Sequence, residues 1–158
     1  MKYGEGVVRH ARMLRRVSRR QIEMDTAALQ AFYRCYRERR LAEAVELFSD
    51  DFQFRTHLPN DPVDPLRPRS RAEFTLICHK FLEDYDIDVF EPGEFVWDGE
   101  FAYTQARGVF RHKQTGKVLE TTFQHRWRLA DGKVLELVQD LPVAQIQAFL
   151  DSVKPNPA

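Results

Sequence analysis

Residues 115–134 read TGKVLETTFQHRWRLADGKV, and this stretch decides the fold. Between the turn signals Thr115-Gly116 and Asp131-Gly132, the side chains alternate with the period of two that is typical of a β-strand. One face is mostly apolar and includes a histidine: Leu119, Thr121, Phe123, His125, Trp127 and Leu129. The other face is polar: Glu120, Thr122, Gln124, Arg126 and Arg128. The pattern predicts a half-buried strand that turns His125 toward the interior.

Two further turn signals, Pro92-Gly93 and Asp98-Gly99, precede this strand. The turns divide the chain after Tyr85 into four or five strands of an antiparallel meander. Four helices are expected outside the meander, because apolar residues recur there at helical spacing. The first helix is predicted to be capped by Asp25 and to bury Leu29, Phe32, Tyr33 and Tyr36. A short second helix carries Leu41, Ala44, Val45 and Phe48. It is predicted to end at Ser-Asp-Asp, residues 49–51. The third starts with the capping box Ser70-Arg71-Ala72-Glu73, and the last begins near Pro142.

Helices that precede a long meander predict an α+β domain in which the helices cover one face of a curved sheet. A sheet that curls around a helix leaves a concavity, and such a concavity is where small molecules bind.

Composition excludes several classes of protein. The 158 residues include 24 basic and 24 acidic side chains, with 43% hydrophobic residues and twelve phenylalanines. The balanced charge disfavours nucleic acid as a partner, and the apolar content is too high for disorder. No apolar run approaches the ~20 residues that span a bilayer, so no membrane partner is expected. Cys35 and Cys78 lack metal-ligand spacing and are predicted to be reduced and buried; we expect no metal and no cofactor.

The charge distribution suggests a boundary. Residues 1–24 carry seven basic and two acidic side chains and are interpreted as a basic N-terminal extension, followed by a single domain over residues 25–153 and a tail over 154–158. The extension could also form a basic amphipathic helix that meets phosphate or an acidic membrane face. No secretory apolar region follows the basic start, which favours a cytoplasmic location.

The order of these segments resembles the nuclear transport factor 2-like superfamily, and within it the SnoaL-like polyketide cyclases and ketosteroid isomerases. The likeness covers about residues 25–150 and is carried by LFSDDF at residues 47–52, RSRAEF at 69–74 and the hairpin at 115–134. It implies a cone-shaped α+β barrel with a deep apolar pocket, usually homodimeric through the outer sheet face. We expect a second copy to cover that face, with Val134 and Val138 or their partners on it.

The resemblance does not identify a catalytic mechanism for this chain. An ungapped match to the ketosteroid isomerases puts Thr56 where their carboxylate base stands and Phe32 where their tyrosine stands, and neither side chain can do that chemistry. The Arg-x-Asp motif of a limonene-type epoxide hydrolase does not occur in the chain.

His125 is the main catalytic candidate, because the resemblance places it near the isomerase's acidic hydrogen-bond donor and an imidazole can act as acid or base near neutral pH. Asp140 is the second candidate, as a carboxylate that could orient His125. Each has a structural alternative: His125 as a core histidine bonded to a carbonyl, and Asp140 as a cap of the last helix. The expected substrate-binding residues are Thr56, His57, Tyr33, Tyr36, Tyr103, Arg107 and Trp127.

The sequence therefore predicts a SnoaL-like protein that binds a small apolar molecule. It would act as a cofactor-independent isomerase, cyclase or dehydratase by proton transfer on a carbonyl or hydroxyl compound. The alternative is a noncatalytic ligand-binding or dimerisation module. The two differ in whether two titratable groups converge inside the pocket.

Overall fold

The computed structural model describes residues 17–59, 64 and 67–155. Its helices are α1 (Arg19–Arg37), α2 (Leu41–Ala44), α3 (Arg71–Asp84) and α4 (Val143–Val153). Its strands are β1 (Phe48–Thr56), β2 (Arg69–Ser70), β3 (Tyr85–Pro92), β4 (Val96–Asp98), β5 (Phe101–His112), β6 (Val118–Ala130) and β7 (Lys133–Asp140). The predicted α+β class and meander are confirmed. Most of the predicted basic extension lies outside the described residues.

The seven strands form one curved, unclosed sheet in the order β2-β1-β7-β6-β5-β3, and β4 pairs with β5. Neighbouring strands are antiparallel except β1 and β7, which run parallel. The chain leaves β1 through α3 and returns to it only after the whole meander, so the two strands meet with the same direction. The sheet bends around α1, α3 and α4.

Helix α1 begins earlier than predicted. Its N-cap is Ser18, whose hydroxyl accepts a hydrogen bond from the Gln21 backbone N–H, and the helix continues across the boundary predicted at residue 24. Asp25 is therefore not the cap: it is a buried side chain that accepts a hydrogen bond from Gln21 Nε2 at 2.9 Å. The regular apolar stripe starts only at Leu29, so the sequence pattern did not indicate the helical turns between Arg19 and Leu29.

The second helix ends sooner than predicted, at Ala44, and Phe48 begins β1. Ser49, Asp50 and Asp51 lie inside that strand and do not terminate a helix. The Phe48 ring packs on the Phe52 ring with centroids 4.3 Å apart, and this buried aromatic contact stabilises the extended conformation.

Helix α3 starts as predicted. The Ser70 hydroxyl accepts from the Glu73 backbone N–H at 3.2 Å, and the Glu73 carboxylate accepts from the Ser70 backbone N–H at 3.3 Å. This reciprocal pair satisfies two N–H groups that a helix start leaves free. The helix buries Phe74, Cys78 and Leu82 against the concave face of the sheet. Cys35 and Cys78 are free and buried, as predicted.

A β-bulge in β7 changes which of its side chains face the core. The pairing with β6 shifts between Arg128 and Leu129, and Leu135 is the additional residue. Both Val134 and Leu137 are buried in consequence, although their spacing of three would place them on opposite faces of a regular strand. The predicted outer-face position of Val134 is wrong for this reason.

Strand β5 makes room for the aromatic core with small inward residues. Ala102, Ala106 and Gly108 face the concave side, opposite the larger residues of β6. A Cβ atom on Gly108 would lie 2.4 Å from the Phe110 ring and 3.0 Å from the Phe123 ring. Gly108 is thus required by the close approach of two rings.

We predict that Gly108→Ala lowers the free energy of unfolding by roughly 1–3 kcal/mol, because the new methyl group must displace the Phe110 ring in a packed core. Urea denaturation measures the change. An alanine that is neutral or stabilising would contradict the close approach, since Gly→Ala without strain usually stabilises a chain.

We also expect the outer face, which carries the half-buried Val138 and the exposed Tyr103, to be covered by a second copy of the chain. Light scattering at micromolar concentration should give a dimeric mass, and a monomeric mass would contradict this expectation.

Candidate functional site

A cavity of about 330 Å³ lies between the concave face of the sheet and helices α1, α3 and α4. Its volume is at the lower end of the range typical of small-molecule sites. Eight phenylalanines line it: Phe32, Phe54, Phe74, Phe81, Phe90, Phe110, Phe123 and Phe149. The aromatic residues come from three helices and four strands, so only the complete fold assembles this wall.

Polar groups on the cavity wall are few. They belong to Tyr36, Cys78, Tyr85, His125 and Gln139. Among the described residues that line the cavity, none is an aspartate, glutamate, lysine or arginine. The cavity therefore offers hydrogen bonds but no charged side chain at neutral pH.

His125 lies at the polar end, fully enclosed by protein. Its Nδ1 is 2.6 Å from the Tyr33 hydroxyl, and its Nε2 is 2.8 Å from Gln139 Oε1. The Tyr33 hydroxyl also accepts a hydrogen bond from Trp127 Nε1 at 3.0 Å. Gln139 Nε2 lies 3.5 Å from Thr56 Oγ1, at the limit of a hydrogen bond. These side chains form one buried network across α1, β1, β6 and β7.

Burial shifts the protonation of this network toward neutral forms. Desolvation lowers the pKa of His125 to about 4, although its hydrogen bond to Gln139 acts in the opposite direction. Burial also raises the pKa of Tyr33 well above its ordinary value, against the effect of the Trp127 hydrogen bond. At neutral pH, His125 is an uncharged imidazole and Tyr33 an uncharged phenol.

A second, smaller polar group sits on the helix side of the cavity. The Tyr36 hydroxyl interacts with the Cys78 thiol, and burial raises the pKa of that thiol to about 12. Cys78 is therefore protonated at neutral pH and is not an activated nucleophile.

The structure brings some of the predicted site residues together. His125 and Tyr36 line the cavity, while Tyr33, Trp127 and Thr56 stand behind the wall and reach it through the hydrogen-bond network. The predicted inward direction of His125 is confirmed, and its ring bonds to side chains and not to a backbone carbonyl.

Other predicted residues lie elsewhere. His57 is exposed, and Tyr103, which is 42% exposed, faces the outer side of the sheet. Arg107 is also on the outer side, where it pairs with Glu120 at 2.9 Å. The reason is the alternation of β5, in which the even-numbered residues face the core and the odd-numbered ones do not.

Asp140 is exposed at the end of β7 and is not part of the cavity wall; nor does a side-chain hydrogen bond cap α4. The residue that contacts His125 from β7 is Gln139, which the sequence analysis missed. A signal for it existed in the sequence, because strand alternation places Gln139 on the same face as the apolar Leu137. Asp140 was predicted instead because it is a carboxylate.

Neither a metal site nor a membrane-spanning helix is present in the described residues, 17–59, 64 and 67–155. No group of three or more histidine, cysteine, aspartate or glutamate side chains is arranged to hold a metal ion in that part of the chain. Of the helices described there, none combines the length and apolarity needed to cross a membrane.

We predict that His125 makes stability depend on pH. The unfolded chain binds a proton at an ordinary histidine pKa of 6.5, whereas the folded chain binds it only near pH 4. The stability is therefore complete above pH 6.5 and falls as the pH decreases toward 4, by about 3 kcal/mol at ~1.4 kcal/mol per pKa unit. Urea unfolding of the wild-type and His125→Gln proteins measures it. Their difference removes the contribution of the carboxylates, and a difference that does not change with pH would contradict the prediction.

Comparison with known proteins places this geometry in a family. The model of the SnoaL-like domain matches residues 29–137, which include α1 from Leu29, the sheet as far as Leu137 and the His125 network apart from Gln139. A search of curated proteins found no match.

Many solved structures share the fold. IdmH from Streptomyces antibioticus, named a "putative polyketide cyclase", is 20% identical, with a TM-score of 0.67 over 80% of this chain and 97% of its own. A "putative isomerase" from Bacillus subtilis is 12% identical, with a TM-score of 0.69 over 82% and 94%. AclR from Streptomyces galilaeus, named a "putative hydroxylase", is 13% identical, with a TM-score of 0.66 over 84% and 98%. With a family model that spans most of the domain and a matching fold, the chain belongs to the SnoaL-like domain family.

Proposed function

We propose that the protein binds an uncharged, largely aromatic small molecule in the phenylalanine-lined cavity. The observation that carries this proposal is the apolar wall, with hydrogen-bonding groups at His125 and Gln139 and a smaller polar group at Tyr36 and Cys78. Burying an apolar ligand there removes its surface from water at roughly 25 cal/mol per Å². A charged ligand would lose its hydration without meeting an opposite charge, which disfavours it.

Helix α4 contributes Ile146, Phe149 and Leu150 to the cavity wall, and Leu58 and Pro59 also line it. None of the α4 side chains is fully buried. The apolar face of α4 is therefore only partly covered by protein, and a ligand in the cavity would cover more of it.

A second candidate function is proton transfer, as in an isomerase, cyclase or dehydratase. The observation that favours it is the 2.6 Å hydrogen bond between Tyr33 and His125, a pair of titratable groups at the cavity wall. The names of the similar structures, a cyclase and an isomerase among them, are consistent with such chemistry. The low pKa of His125 makes it a weak base at neutral pH, and for that reason binding is the stronger proposal.

We predict that filling the cavity abolishes binding. Ile77 lines the cavity from α3, and Ile77→Trp should lower the affinity for the uncharged fluorophore N-phenyl-1-naphthylamine by at least about tenfold. The matched control is Leu76→Trp, at the adjacent position of the same helix, where the side chain is 68% exposed and away from the cavity. Equal affinity of the two variants, measured by fluorescence titration, would contradict the assignment of the cavity as the binding site.

A test of proton transfer separates the two functions. 2-Indanone has acidic C–H groups next to its carbonyl, and their exchange for deuterium in D₂O can be followed by proton NMR. If the protein only binds, the exchange rate at neutral pH should equal that of buffer. An acceleration that disappears in His125→Gln would establish the second function in place of the first.

A further inference from the structure

The hydrogen-bond network behind the cavity determines where the proton of His125 resides. Tyr33 is 1% exposed, and its hydroxyl has two partners among the described residues, Trp127 Nε1 and His125 Nδ1. An indole N–H can only donate, so the Tyr33 oxygen accepts from Trp127. The hydroxyl proton of Tyr33 must then go to its remaining partner, His125 Nδ1.

The opposite arrangement leaves a buried donor unsatisfied. If Nδ1 carried the proton, the Tyr33 oxygen would accept from both Trp127 and His125, and its own proton would have no acceptor in the described part of the chain. A buried polar group without a partner is costly. With Nδ1 as the acceptor, Nε2 carries the proton of the neutral ring and donates it to Gln139 Oε1 at 2.8 Å.

The direction of the network then extends to Gln139. Its carbonyl oxygen accepts from His125 and keeps one lone pair, whereas its amide nitrogen has two N–H groups to donate. That nitrogen has only a marginal contact with Thr56 Oγ1, at 3.5 Å. The Gln139 N–H and, if Gln139 moves aside, the His125 Nε2–H are both donors.

We propose that Trp127 and Tyr33 are positioning residues that fix His125 as the Nε2–H tautomer, so that the polar end of the cavity offers more donors than acceptors and favours a ligand with a carbonyl oxygen. This deepens the proposed function and rests on it for the ligand, though not for the tautomer. The ligand class is an uncharged aromatic ketone or aldehyde. A ligand whose only polar group is an N–H donor would meet only the second lone pair of Gln139 Oε1 there.

The tautomer is tested without any ligand. In protein labelled with ¹⁵N-histidine, the unprotonated ring nitrogen resonates far downfield of the protonated one, and the His125 signals are assigned with His125→Gln. We expect Nε2 to be protonated and Nδ1 unprotonated in the wild-type protein at neutral pH. A protonated Nδ1 would overturn the proposal directly.

The role of Tyr33 is tested with Tyr33→Phe, which removes the donor to Nδ1. The unprotonated Nδ1 of His125 loses its hydrogen bond in that variant, and its signal should therefore move further downfield. The matched control, Tyr103→Phe, alters an exposed tyrosine on the outer face and should leave the His125 signals unchanged. An unchanged Nδ1 signal in folded Tyr33→Phe would overturn the positioning role, and if that variant does not fold the wild-type spectrum still decides the tautomer.

The selectivity is tested with three tricyclic compounds of nearly equal shape: 9-fluorenone has only an acceptor, carbazole only an N–H donor, and fluorene neither. We expect fluorenone to bind ~3- to 10-fold more tightly than fluorene, and carbazole no more tightly than fluorene. Gln139→Leu should reduce the preference for fluorenone while fluorene affinity stays within about twofold.

The outcomes separate this inference from the proposed function. If all three compounds bind equally, the cavity binds ligands but the excess of donors at its polar end is wrong. If carbazole binds best, the direction of the network is wrong. If none binds, the proposed function fails together with the ligand class.

Discussion

The Tyr33 hydroxyl joins helix α1 to strand β6 inside the aromatic core, through Trp127 Nε1 at 3.0 Å and His125 Nδ1 at 2.6 Å. Because the two β6 residues are two positions apart on one face, a single hydroxyl can reach both. This contact holds the helix against the strand that contributes most to the cavity's polar end. It also allows His125 and Trp127 to be buried in the core, because each has a hydrogen-bond partner in the Tyr33 hydroxyl.

The phenylalanine-lined wall of the cavity depends on the small residues of β5 and on the bulge in β7. The small inward residues of β5 leave space for the rings of Phe90, Phe110 and Phe123, and the bulge in β7 turns both Val134 and Leu137 inward. The sheet therefore curves around the helices and stays open at one side. The cavity is the volume that these rings cannot fill, and helix α4 and residues 58–59 complete its wall.

The chemistry of the site follows from its burial. The network contains an imidazole, a phenol, an indole and an amide, all neutral at physiological pH, and the lining has no charged side chain among the described residues. Such an environment strengthens each hydrogen bond and penalises any charge. It is therefore better suited to recognising a polar atom on an apolar molecule than to stabilising an ion.

Local patterns in the sequence were sufficient for the class of the fold, the meander, the capping box at Ser70 and the inward direction of His125, because each depends on a few neighbouring residues with a fixed period. Local patterns did not predict the start of α1 at Arg19 or the end of α2 at Ala44. The first turns of α1 lack a regular apolar stripe, and the spacing of Phe48 fits a helix as well as a strand. Asp140, Tyr103 and Arg107 were assigned to the site by residue type, and the tertiary structure places all three outside it. The partners of His125 come from residues 33 and 139, far away in the chain, so their contact with the ring depends on the packing of α1 and on the pairing of β7 with β6. Only the folded chain sets these distances, because the bulge that shifts β7 and the crossing of α1 over the sheet arise from packing between segments that no local pattern encodes.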